Sequence, residues 1–124
     1  MAWQRQVGAF NHAAPSATDL TGMEYRFAVI DGNGAIALSG LGGEAQGVIQ
    51  EGKPVGRNSS IATGGQLKVL ASAAINEGDE IASAANGLAR VAGAGHEILG
   101  VALTSVANAN ELVTVNFNPK GLHV

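Results

Sequence analysis

Closely spaced glycines and turn residues between Ile75 and Ala102 constrain this chain more than any other feature. Glu77-Gly78-Asp79 has the chemistry of a tight turn, and Asn86-Gly87 is a strong short signal for a β-hairpin. Short apolar runs separated by such turns are typical of an all-β sandwich or barrel. The stretch is also rich in alanine, the best helix former, so a helix is the alternative. Strands are favoured because glycines interrupt every helix-length window, at Gly78, Gly87, Gly93, Gly95 and Gly100.

The length and composition indicate one domain with a thin core. The chain has 124 residues, and only five of its side chains are aromatic. Alanine supplies a large share of the residues counted as hydrophobic, so each buried position contributes little apolar area. Self-association or adhesion to a larger surface is one remedy for a marginal domain.

Charge and cysteine content exclude several classes of function. The net charge is −3, and the seven basic residues are scattered singly, so we expect no nucleic-acid partner. The absence of cysteine excludes disulfides, thiolate metal sites and thiol catalysis, and it fits assembly in a reducing cytoplasm. No apolar run approaches eighteen residues, which predicts no membrane-spanning helix.

Residues 1–21 are predicted to be irregular, because Pro15 and its polar neighbours break any regular element. The large apolar residues of this segment are Trp3, Val7 and Phe10. A frayed terminus is one interpretation. We favour an extended arm that docks elsewhere, because tryptophan is enriched as an interface anchor and Trp3 is the only one in the chain.

The rest of the chain divides into a β domain over 22–118 and a tail over 119–124. Tyr25–Ile30 is the clearest strand, and Ala35–Leu38 is its predicted hairpin partner across a Gly-Asn-Gly turn. Residues 47–54 are predicted to be a short strand and a turn, 55–60 are polar, and 66–70 are another short strand. Residues 111–118 alternate, with Val113, Val115 and Phe117 on the buried face, and Pro119 is expected to end that strand. Segments 44–56 and 76–93 share a loose plan that is too weak to indicate a duplication.

The motifs that suggest chemistry lack their required parts. Gly47-x-x-x-x-Gly52-Lys53 resembles a phosphate-binding loop but continues with Pro54 where a hydroxyl is needed. Gly32-x-Gly34 follows a strand, yet no helix follows, so a hairpin turn explains both glycines. The histidines are far apart, and no serine lies in a nucleophile context, so we predict neither an enzyme nor a cofactor or metal site. Biotinyl and lipoyl carrier domains share the Gly-Asp pattern, but neither Lys53 nor Lys68 occupies a hairpin tip.

The order of several short motifs resembles the small capsid decoration, or cement, proteins of tailed bacteriophages. The resemblance covers about residues 44–118 and rests on five stretches: Ile61-Ala-Thr-Gly-Gly-Gln-Leu, Ile75-Asn-Glu-Gly-Asp-Glu-Ile, Asn86-Gly-Leu-Ala, Ile98-Leu-Gly-Val-Ala and Glu111-Leu-Val-Thr-Val. It implies a small barrel-like antiparallel β domain with an extended, Gly-rich N-terminal segment.

The same resemblance implies a non-enzymatic protein on the outer capsid surface of a virion, assembled in the host cytoplasm. The implied partners are the major capsid protein and other copies of the chain, as a homotrimer. The candidate contacts with the capsid or with neighbouring subunits are Trp3, Val7, Phe10 and Tyr25. The alternative is a non-catalytic β module that binds carbohydrate or peptide, which clustered surface aromatics would favour.

Overall fold

The computed structural model describes residues 11–122, which form ten β-strands in two antiparallel five-stranded sheets. This confirms the predicted all-β class. A three-residue 3₁₀ segment, Ala85–Gly87, lies within the Ala-rich stretch, and no longer helix occurs in the described part of the chain. The strands are β1 Asn11–Pro15, β2 Phe27–Ile30, β3 Ile36–Leu38, β4 Gly47–Glu51, β5 Asn58–Ala62, β6 Gly65–Leu70, β7 Glu80–Ser83, β8 Ala89–Val91, β9 Glu97–Ala102 and β10 Leu112–Leu122.

The two sheets have the same topology. The first runs β1-β5-β4-β2-β3 and the second runs β6-β10-β9-β7-β8, which is the same order if counting restarts at β6. Every pairing in both sheets is antiparallel. We call β1–β5 the first unit and β6–β10 the second unit. The sequence predicted no duplication, whereas the structure contains the same five-stranded topology twice.

The strand registers allow the two units to be aligned residue by residue. Ala28 lies opposite Gly47 in the first unit, and Ile81 lies opposite Gly100 in the second. A Cβ on either glycine would collide with a backbone carbonyl of the next strand, that of Ala62 or that of Asn116. With this alignment the identical residues fall mainly at turns: Glu24, Asn33, Gly34, Gly40, Gly42, Glu44, Gly47 and Val48 recur as Glu77, Asn86, Gly87, Gly93, Gly95, Glu97, Gly100 and Val101.

The edges of each sheet approach each other without forming a continuous ladder. A single parallel bridge joins Ser16, after β1, to Ile36 of β3, and the equivalent bridge joins Ala71, after β6, to Ala89 of β8. Each sheet therefore curls around its own interior. The strand ladders are open, so the predicted barrel-like form is not confirmed.

Each unit has its own apolar interior, and the larger one also receives residues from the other unit. The interior of the first unit contains Ala14, Leu20, Ala28, Ile36, Ile49 and Ile61. The larger cluster belongs to the second unit and includes Leu67, Ile75, Ile81, Leu99 and Val115, together with four residues of the first unit, Phe27, Ala45, Val48 and Ala62. Alternation along β2 and β4 sends Ala28 and Ile49 inward and Phe27 and Val48 toward the second unit.

The predicted buried face of β10 is confirmed. Val113 and Val115 are fully buried, and Phe117 is 5% exposed. The opposite face is less exposed than the alternation predicts, because Thr114 is also buried and its backbone N–H donates to Thr104 Oγ1 at 3.0 Å. The prediction that Pro119 ends the strand is wrong: β10 continues to Leu122 across a register shift, where a residue without an N–H is tolerated.

Two strands occur where none was predicted. Asn11–Pro15, within the segment predicted to be irregular, pairs with β5 along its whole length. Asn58–Ala62 overlaps residues 55–60, for which the sequence indicates only polar character. Its Ser59 is buried and satisfied, because its Oγ lies 2.6 Å from Ser16 Oγ and accepts the Lys53 N–H at 2.8 Å. Such local hydrogen bonds allow a polar residue to sit inside a sheet.

Both predicted hairpins are confirmed, with one change of boundary. β2 pairs with β3, and β7 pairs with β8 across Asn86 and Gly87, whose φ angles are 61° and 76°. The predicted strand at Tyr25 begins instead at Phe27, because Tyr25 has a φ of 65° and turns the chain into β2.

Residues 25–27 of the first unit lie against the second unit, at a contact that we call the seam. The Leu70 N–H donates to the Tyr25 carbonyl at 2.8 Å, and Lys68 Nζ lies 5.6 Å from the centroid of the Tyr25 ring. Arg26 donates to the Asn86 carbonyl at 3.3 Å. The Phe27 ring lies 6.1 Å from that of Phe117, within the core of the second unit.

Truncating Phe117 tests the shared core. We expect Phe117→Ala to lower the free energy of unfolding by about 3–5 kcal/mol, since the ring is buried against Phe27. Asn116→Ala, one position earlier and exposed, should change it by less than about 0.5 kcal/mol. Urea unfolding measures both values. A loss below about 1 kcal/mol for Phe117→Ala would contradict the assignment.

A matched pair of glycines tests the seam. Gly34 and Gly87 have φ angles of 77° and 76°, so alanine costs a similar backbone strain of about 1–2 kcal/mol at either site. A Cβ on Gly87 would lie 2.5 Å from the Phe27 carbonyl, whereas one on Gly34 would meet nothing within 4 Å. We therefore expect Gly87→Ala to destabilise the protein by at least about 1 kcal/mol more than Gly34→Ala in urea unfolding. Equal losses would show that the seam is loosely packed.

Candidate docking surface

The described residues contain no constellation that indicates catalysis or metal binding. No group of three or more His, Cys, Asp or Glu side chains within residues 11–122 could hold a metal ion. The pKa of the Asp19 carboxyl is lowered, because the side chain and the backbone N–H of Thr21 donate hydrogen bonds to it. That pair is an exposed local turn, so the shift has a structural cause.

A shallow groove lies beside β6 in the second unit. It is lined by Lys68, Val106, Asn110 and Leu112, among others. Its one carboxylate, that of Glu111, accepts the backbone N–H groups of Ala107 and Asn108 at 3.0 and 2.8 Å. The acid therefore holds the loop in place, and the groove offers no set of converging polar groups for a small molecule.

The seam defines a surface on the second unit that receives a chain segment. Besides Phe117 in the interior, the residues that contact residues 25–27 include Lys68, Leu70, Asn86 and Gly87. We call these four residues the second receiving face. Leu70 offers the N–H of an edge strand, and Asn86 offers its backbone carbonyl. Gly87 has no side chain, which leaves room for the backbone of Phe27.

The first unit carries the corresponding surface, and no residue within 11–122 covers it. Strand register and the Asn-Gly alignment place Ala13, Pro15, Asn33 and Gly34 at the equivalent positions. We call them the first receiving face. All four are exposed, and Val55, next to the bridge at Ser16, is 63% exposed. Sequence reasoning did not identify this surface, although the repeated Asn-Gly pair was a signal for it.

The candidate contact residues fall in two places. Tyr25 lies at the seam, half-buried beneath Lys68, so the structure gives it a contact within the chain. Trp3, Val7 and Phe10 lie outside the described residues. Elsewhere in the described chain the large exposed apolar side chains, Leu41, Val55 and Val91, sit on three separate segments.

Comparisons with known proteins identify the fold. No protein-family model and no curated protein matches the sequence. Among the described residues, no helix is long and apolar enough to cross a membrane. The structure is similar to a crystal structure of the head fiber gp8.5 N base in bacteriophage phi29, with a TM-score of 0.72 and 16% sequence identity. The likeness covers 94% of this chain and 99% of that one, so the chain has the fold of a phage head-fibre base.

Proposed function

We propose that this protein is a non-enzymatic structural component of a phage virion, bound to the outer surface of the capsid. The similarity of fold to a phage head-fibre base, over nearly the whole of both chains, carries this proposal. The order of the sequence motifs, which resembles capsid decoration proteins, supports it independently. In this role the protein binds the major capsid protein and stabilises contacts between its subunits, after assembly in the host cytoplasm and without a cofactor.

Self-association as a homotrimer belongs to the same proposal. The apolar interiors of both units are small and consist largely of alanine and branched aliphatic residues, so the chain gains from burying more surface. A ring of identical subunits uses a heterologous interface, in which two different surfaces of the chain meet. The N-terminal arm, with Trp3, Val7 and Phe10, is the proposed contact segment. Residues 11–15 of the predicted arm are a strand of the first unit, so the proposed contact segment is limited to residues 1–10.

A carbohydrate- or peptide-binding module is the alternative, and the described aromatics disfavour it. Phe27 and Phe117 are buried, and the Tyr25 ring lies beneath Lys68. Residues 11–122 therefore present no exposed aromatic platform on which a sugar ring could stack.

Binding to phage heads tests the proposed function. Purified protein should co-sediment with heads assembled without it, and it should raise the temperature at which those heads release their DNA. Deleting residues 2–10 should weaken binding at least about tenfold, because it removes the proposed contacts with the capsid or with neighbouring subunits, and burying one large side chain contributes about 1.5–3 kcal/mol.

The control for that deletion is the double substitution Gln4→Ala and Gln6→Ala, which changes the same segment without removing its rings. This variant should bind heads as the full chain does. Failure of the full-length protein to bind heads would contradict the capsid role. Undiminished binding of the deletion variant would show that the arm does not contact the capsid.

A further inference from the structure

The uncovered receiving face of the first unit has an occupied counterpart in the same molecule. On the second unit, Tyr25, Arg26 and Phe27 cover the equivalent face through a main-chain hydrogen bond, an Arg–carbonyl contact and a buried ring. The first face has the same backbone turn, with Gly34 at a φ of 77° and Gly87 at 76°. The backbone of Phe27 fills the space beside Gly87, whereas the space beside Gly34 is open. The first face therefore has the turn of the covered face and room for another chain segment.

The chemistry of the first face selects an apolar occupant. Pro15 is the first-unit equivalent of Leu70, whose N–H donates to the Tyr25 carbonyl, and proline has no N–H. Ala13 stands where Lys68 lies over the Tyr25 ring. A partner strand cannot form the same main-chain bond here, because edge prolines block strand addition. Aromatic rings that pack on Ala13 and Pro15 would bury this surface instead.

The second unit cannot supply that occupant. The residues equivalent to Tyr25, Arg26 and Phe27 are Gly78, Asp79 and Glu80, which have no ring and carry two acids. Gly78 shares the positive φ of Tyr25, at 92° against 65°, so the backbone is repeated while the side chains are not. Copies of the chain therefore cannot join by repeating the seam.

We infer that residues 1–10 of a neighbouring copy occupy the first receiving face. This inference rests on the proposed self-association and names its surfaces. The segment holds the only tryptophan of the chain and one of its three phenylalanines, and it includes Arg5, the same residue type as the Arg26 that donates to the Asn86 carbonyl at the seam. Ten extended residues span up to roughly 33–36 Å, enough to reach an adjacent subunit.

The seam indicates a neighbouring copy as the source of the segment. On the second unit the cover comes from the other unit, not from Thr63 and Gly64, which lead into β6. By analogy, the cover of the first unit comes not from the residues that lead into its own β1 but from another copy of the chain. Each subunit then gives its segment to one neighbour and receives one from another, which is the heterologous contact that closes a ring.

Ala13→Glu tests this inference, because it places a charge on the face without touching the interior. Ala94→Glu is the matched control, at an exposed alanine on the β8–β9 turn. Light scattering during gel filtration reports the oligomer, and emission of Trp3, the sole tryptophan, reports whether its ring is shielded. Full-length protein and Ala94→Glu should be trimers with blue-shifted emission.

Ala13→Glu and the chain without residues 2–10 should both be monomers. In Ala13→Glu, which keeps Trp3, the emission should move to the wavelength of a solvated indole. Circular dichroism and the melting temperature check that Ala13→Glu is folded. If it is not, Asn33→Arg at the exposed turn provides a second block of the same face.

Three outcomes would overturn the inference. A trimer that persists without residues 2–10 removes the segment from the interface. A monomer with shielded Trp3 at every dilution shows that the segment docks on its own chain. A monomer with solvated Trp3 shows that the segment is reserved for another partner. Head binding is measured separately. If the full-length protein is a monomer that binds heads, only this inference is contradicted. If it is a trimer that does not bind heads, only the capsid role is contradicted.

Discussion

The burial of Phe27 in the second unit is the interaction on which the rest of the structure depends. Each five-stranded unit alone is shorter than the roughly 70–80 residues below which one core rarely supplies enough stability. Phe27, Val48 and Ala62 point out of the first unit and complete the interior of the second. We therefore expect the two units to fold together. The seam also has a conformational cost, because Tyr25 holds a left-handed φ that a bulky residue adopts at about 1–2 kcal/mol. Its carbonyl and ring both contact β6, which explains why the tyrosine is tolerated where the sister unit has Gly78.

Sequence patterns predicted those strands that a single local rule specifies. The alternation of Val113, Val115 and Phe117 and the Asn-Gly turn gave correct elements, because side chains alternate in strands and glycine favours positive φ. β1 and β5 were missed, since their stability comes from pairing with each other and from the buried Ser16–Ser59 contact, which no local pattern contains. Of the candidate contacts, Tyr25 was placed in a strand and found at the seam, where the positive φ that positions it is invisible in the sequence.

The duplication was hidden because the interiors exchanged their large and small residues. Ala28 and Ile36 of the first unit correspond to Ile81 and Ala89 of the second, so the alkyl group moves to the neighbouring strand while the filled volume is kept. Cores tolerate such exchanges, and comparison of sequences then finds no repeat. The residues that cannot exchange are those that serve the backbone, such as Gly47 and Gly100 against neighbouring carbonyls. Glycine spacing was therefore the informative signal, and it was interpreted only as turns.

The outward faces of the two units explain how a duplicated fold avoids endless association. A head-to-tail contact between equivalent units would propagate into a filament if each new unit offered the same surfaces. The outer positions of the second unit replace Phe27 and Ala62 by Glu80 and Asn116, and Pro15 removes the donor that Leu70 uses. The seam can therefore form once per chain. Among residues 11–122, nothing covers the first receiving face, and the proposed closed assembly requires a segment outside the repeated strands to cover it. The proposed capsid role is consistent with this property, since β surfaces that associated without limit would compete with the capsid for the chain.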